Sequence, residues 1–109
     1  MAQAVKWTQI ATEDLYAVAE FIARDSTFYA RAVLREARTA ARSLRRFATR
    51  GRIVPESARS DVREVFVGNY RLIYYIAGKN VSVIAFIHGA RDLAALWEQR
   101  GGPPTADGS

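Results

Sequence analysis

A chain of 109 residues is the usual size of one domain, and roughly 60 to 70% of its unfolded surface can be buried. Half the residues are hydrophobic, too many for disorder; having no cysteine and one histidine, the chain excludes disulfides, thiolate zinc sites, cysteine nucleophiles and histidine metal clusters. The net charge of +5 is uneven, because from Arg31 to Arg63 ten arginines face three acids, so one half of the molecule carries a field that favours an acidic partner.

Residues Ala4 to Thr8 alternate weakly and read as a short strand. Thr12, followed by Glu13 and Asp14, is the expected N-cap of a first helix, with Leu15, Val18, Ala19 and Ile22 on its apolar face. That pattern ends near Arg24, and Asp25 and Ser26 supply a second cap, so the spacing predicts an αα-hairpin with a very short turn. The second helix is expected over Thr27 to Thr49. Its apolar stripe is Tyr29, Val33, Ala37, Ala40, Leu44 and Phe47; its opposite face carries Arg31, Arg35, Arg38, Arg42, Arg45 and Arg46. Residues 51–60, with Pro55, read as a loop.

The period then changes to two. Val62–Val67, Tyr70–Ile76 and Val81–Ile87 are rich in β-branched and aromatic residues and are separated by tight-turn sequences at Gly68-Asn69 and Gly78-Lys79. A two-residue turn at Gly68-Asn69 pairs residues whose numbers add to 137, placing Glu64 opposite Ile73 and diagonal to Arg71. A final short helix over Arg91 to Arg100 presents Leu93, Leu96 and Trp97. The fold class is therefore α+β: an N-terminal strand and αα-hairpin packed on a mainly antiparallel sheet, with a short C-terminal helix. Residues 1–100 form one domain and 101–109 have the composition of a disordered tail. No apolar run approaches the roughly 20 residues a bilayer requires, and the first residues lack a signal-peptide core, so a cytoplasmic location is expected.

Four features have two readings each. His88 ends the last strand and is either a proton-transfer group or part of the strand-to-helix joint, with Gly89 turning the chain and Asp92 capping the helix. Glu64 and Arg71 are either an exposed cross-strand ion pair or, with Arg63, a clamp for phosphate. The arginine face is either simply solvated or a surface for something acidic; aromatic residues are not interspersed along it as a single-strand nucleic-acid platform requires. Trp97 is either core or an interface anchor.

Taken together, the strand, the αα-hairpin, Arg63-Glu64, Gly68-Asn69-Tyr70-Arg71, the apolar Leu72-Ile73-Tyr74 and His88-Gly89-Ala90-Arg91-Asp92 resemble the RelE/ParE toxin superfamily of type II toxin–antitoxin pairs, over residues 4–97. The resemblance implies a cognate antitoxin and one of two activities. RelE-like members cut mRNA on the ribosome, which would assign Arg63 or Arg71 to charge stabilisation, Glu64 to the base and His88 to the acid. ParE-like members inhibit DNA gyrase. The arginine-bearing hairpin and the H-G-x-R-D ending are closer to the ParE branch, where Arg91 and Trp97 are the candidate gyrase contacts. Phe28, Arg31, Arg35, Arg38 and Arg42 are the candidate antitoxin contacts. No metal or other cofactor is expected.

Overall fold

The computed structural model describes residues 4–102; positions 103–109 of the expected tail lie outside the described residues. In chain order the elements are β1 (Ala4–Trp7), α1 (Gln9–Ala23), α2 (Thr27–Ser43), β2 (Arg52–Ile53), β3 (Val62–Val67), β4 (Tyr70–Ala77), β5 (Asn80–His88) and α3 (Leu93–Gln99). The strands form one sheet in the order β1-β5-β4-β3-β2, parallel between β1 and β5 and antiparallel elsewhere. This is the expected α+β architecture, with α1 and α2 on one face and α3 on the other. Among the described residues no helix is long and apolar enough to cross a membrane.

Thr8, and not Thr12, caps α1. Its hydroxyl accepts the Ala11 N–H at 3.2 Å and donates to the Val83 carbonyl at 2.9 Å, so one side chain ends β1 and begins α1. Thr12 instead donates back to the Thr8 carbonyl. Ser26 caps α2 as expected, accepting from the Tyr29 N–H.

The second helix is shorter than its periodicity implies. The Ser43 hydroxyl donates to the Ala40 carbonyl at 2.6 Å, and the N–H groups of Leu44 and Arg45 reach back three residues, tightening the chain into a turn. The buried line is Ala30, Ala37, Ala41 and Leu44, packed against Ala11, Leu15 and Ala19 of α1; small side chains let the two helices approach closely. Tyr29 and Phe47, assigned by periodicity to that stripe, are exposed.

The β3–β4 register is the expected one, from Val62↔Tyr75 to Val67↔Tyr70. Gly68 supplies the positive φ, +58°, that its turn requires. Between β4 and β5 the pairing shifts: Ile73 faces Ala85 and Tyr74 faces Val83, leaving Ile84 as the extra residue of a bulge. One inserted residue inverts the alternation that follows it. Val81, Val83 and Phe86 consequently all face the αα-hairpin, whereas Ile84, Ala85 and Ile87 pack with Leu93, Leu96 and Trp97 of α3.

Candidate functional site

Glu64 and Arg71 lie on the α3 side of the sheet, in the diagonal relation the register predicts, but they are not an exposed pair. Glu64 is 1% and Arg71 4% exposed. Charges that deeply buried persist only when closely paired. The Glu64 carboxylate accepts from Arg71 Nε and from Arg52 Nε, each at 2.6 Å. Arg71 then turns both Nη groups to the Glu56 carboxylate, at 2.8 and 3.1 Å. These hydrogen bonds hold the Glu56 carboxyl below its usual pKa, against the upward push of desolvation, and hold the Arg71 guanidinium above its own. Arg52 belongs to β2, the strand opposite Glu64, and Glu56 to the loop after it; both fall in the 51–60 stretch whose composition predicts only loop.

His88 and Arg63 lie on the other face. Arg63 is opposite Tyr74 and spends its guanidinium on the carbonyls of Gly51 and Ser60, each at 3.0 Å. The Tyr74 hydroxyl, wholly buried, accepts the Gly51 N–H and donates to the Ala48 carbonyl at 2.6 Å. His88 is opposite Tyr70 and exposed. Its Nδ1 accepts the Ala90 N–H at 3.1 Å, and its ring stands edge-on to Tyr70, which stacks on Phe86. A shallow groove of about 270 Å³ runs beside it, walled by Phe21, Tyr70, His88 and Arg91.

The sheet therefore divides the four residues proposed for RNA cleavage, Glu64 and Arg71 on one side and Arg63 and His88 on the other. The bulge at Ile84 is what carries His88 to the hairpin side. Under unbroken alternation from Val83 it would share a face with Arg71.

Other surface candidates sort clearly. Phe28 is 71% exposed at the head of α2, and Arg31, Arg35, Arg38 and Arg42 are all exposed, with no carboxylate in ion-pair range among the described residues. Arg38 donates to the Tyr16 hydroxyl at 2.6 Å and lies over its ring. Arg31, Leu34, Arg35, Arg38 and Arg42 wall one groove, and a second, sharing Arg38 and Arg42, extends to Val5 and Trp7 of β1, an outer strand of the sheet. Arg91 is exposed just before α3. Trp97 is 5% exposed within the core between α3 and the sheet, so it packs the fold and does not present an anchor; its Nε1 has no hydrogen-bond partner among the described residues.

One cluster had no signal in the sequence. Asp14 on α1 accepts Arg100 at 2.7 and 3.2 Å and also the Phe86 N–H of β5 at 3.1 Å. It thereby closes the part of the β5 edge that four-residue β1 does not reach, and ties α1 to the end of α3. Two residues 86 positions apart leave no local pattern.

A family model described as the ParE toxin of the type II toxin–antitoxin system, parDE, matches residues 5–93. The chain belongs to that family. The toxin RelE2 of Caulobacter vibrioides is 37% identical to this ParE-family toxin over 92 residues, covering 84% of this chain and 99% of that one. Two solved structures share the fold. The chromosomal ParDE system of P. aeruginosa aligns with a TM-score of 0.65 at 19% identity, covering 80% of this toxin and 96% of that chain. The toxin–antitoxin complex RelBE2 of Mycobacterium tuberculosis aligns with a TM-score of 0.55 at 22% identity, covering 81% and 99%. The motifs from Arg63 to Arg91 that suggested the superfamily fall within the matched span.

Proposed function

We propose that this toxin acts by inhibiting DNA gyrase and is neutralised by a cognate antitoxin. The observation that carries the first part is the division of Glu64 and Arg71 from His88 by the sheet. Cleavage of RNA through its 2′-hydroxyl calls for a base and an acid flanking one phosphate, with cations beside them. Here the only carboxylate of the set is held between two guanidiniums, and the imidazole stands on the opposite face. Arg71 is already occupied by two carboxylates. That arrangement suits a structural lock better than an acid–base pair, and it favours a toxin that works by binding.

The test uses purified protein in two assays, gyrase supercoiling and cleavage of mRNA programmed on ribosomes. Inhibition of supercoiling with intact mRNA is the expected result, and cuts at codons would overturn the reading. His88→Ala is expected to retain toxicity in growing cells, within about twofold of the wild-type dose. A complete loss, with the melting temperature unchanged, would restore a chemical role to the imidazole.

For the antitoxin, the support is chemical complementarity: the arginine-walled grooves of α2 open toward the free edge of β1, and Phe28 stands exposed nearby. An acidic segment with apolar residues, added along that edge, would satisfy both charge and backbone. Arg38→Glu together with Arg42→Glu is expected to weaken antitoxin binding by roughly tenfold or more at low salt, less at high salt. Unchanged affinity by titration calorimetry would remove this surface from the complex. Arg91 is the remaining candidate gyrase contact.

A further inference from the structure

The ten arginines between Arg31 and Arg63 divide in the fold. Arg52 and Arg59 pair with carboxylates and Arg63 with backbone carbonyls. The other seven are exposed and have no carboxylate in ion-pair range among the described residues. Four of them, Arg31, Arg35, Arg38 and Arg42, lie within α2 itself. Arg45, just beyond the last turn of α2, walls the groove that Arg38 and Arg42 share with β1, whereas Arg46 and Arg50 lie beside an aromatic ring.

That ring is Phe47. Helical periodicity assigns it to the buried stripe, but α2 stops at Ser43 and the following turn carries the ring outward to 59% exposure. Arg46 lies over it at 5.7 Å. Arg50 is held in place, its Nε donating to Ser43 Oγ at 2.9 Å, while Ser43 donates in turn to the Ala40 carbonyl at 2.6 Å. A helix C-terminus favours nearby cations, which explains one or two basic residues there. It gives no reason for an exposed phenylalanine in their midst.

We propose that Arg46, Phe47 and Arg50 form a docking patch for single-stranded nucleic acid, with phosphates on the guanidiniums and a base stacked on the Phe47 ring. A peptide of acidic residues only would satisfy the arginines and leave the ring uncovered. The exposed ring adds a flat apolar face, and every base offers a flat face to it. The patch is built from main-chain turns and one pinned guanidinium, so it discriminates little by sequence. It is separate from Glu64, Arg71 and His88 and requires none of them.

Fluorescence anisotropy with the full-length toxin and a labelled 20-nucleotide oligo(dT) tests the proposal. Two phosphate contacts predict a slope of about −1.4 in log affinity against log salt. Phe47→Ala is expected to weaken binding at least about fivefold, since stacking on one ring typically contributes that much or more. Arg46→Glu with Arg50→Glu is expected to abolish binding, whereas Arg31→Glu with Arg35→Glu keeps it within about threefold. Equal losses in the two charge variants would reduce the patch to bulk electrostatics and overturn the proposal. So would an unchanged affinity in Phe47→Ala, or displacement of the oligonucleotide by polyglutamate at equal charge concentration. All these residues are exposed, and thermal melts of each variant confirm that the fold is intact.

Discussion

Gly51→Ala is expected to lower the melting temperature by roughly 10 to 20 °C. A β-carbon there would sit 2.5 Å from the Glu64 carbonyl oxygen and 2.6 Å from the Tyr74 hydroxyl oxygen. Neither neighbour can easily withdraw, because the carbonyl belongs to the middle of β3 and the hydroxyl is fixed in the core by Ala48 and by the Gly51 N–H itself. Forcing them apart combines overpacking with loss of buried hydrogen bonds, together about 3 kcal/mol. For a domain of this size each kcal/mol is worth about 4 to 8 °C. Gly78→Ala provides the contrast: φ is +59° but the space around it is open, so only the left-handed backbone penalty of about 1 to 2 kcal/mol applies. Melting curves that show equal shifts for the two variants would remove the close approach at Gly51 from the account of stability.

Arg71→Ala is expected to destabilise the toxin by about 3 to 5 kcal/mol, the usual consequence of leaving a buried charge with part of its partnership gone. It strips Glu64 of one of two guanidiniums and releases Glu56 altogether. Replacing both members, Arg71→Met with Glu64→Leu, is expected to lose much less, because no uncompensated charge remains. If the double variant unfolded as readily as the single one, the network would owe its effect to shape and not to charge. The acid limb gives an independent readout. Because Arg71 lowers the Glu56 pKa from its ordinary 4.5, the unfolded chain takes up that proton first as pH falls. The resulting stability is present above that value and is lost as pH drops through the folded-state pKa. Urea midpoints measured from pH 7 to pH 3 should therefore decline less steeply in Glu56→Gln than in the wild type.

The three central strands were legible because β-branched and aromatic residues, two tight turns and period-two alternation agree with one another; the β3–β4 register followed from turn length alone. The αα-hairpin was legible from Ser26 and the change of face around it. Other features depended on segments meeting in space. Two-residue β2 lies in a stretch with glycine and proline and shows no periodicity, yet it brings Arg52 to Glu64. Burial of the Glu64–Arg71 pair needs Glu56 as well, a loop residue with no reason to stand out. The bulge at Ile84 leaves the composition of β5 unchanged while reversing which face His88 occupies. Phe47 followed the helical period in sequence only because nothing local announces that Ser43 ends the helix.

The parallel pairing of β1 with β5 has a kinetic side. Val5 lies beside Val81, and Thr8 bonds to Val83, so the first strand has no partner in the sheet until β5 has left the ribosome. Asp14 waits longer still, for Arg100. Contacts of such long sequence separation close slowly. A nascent copy of this toxin thus lacks one border of its sheet until β5 has emerged, and a copy terminated before residue 80 never acquires it.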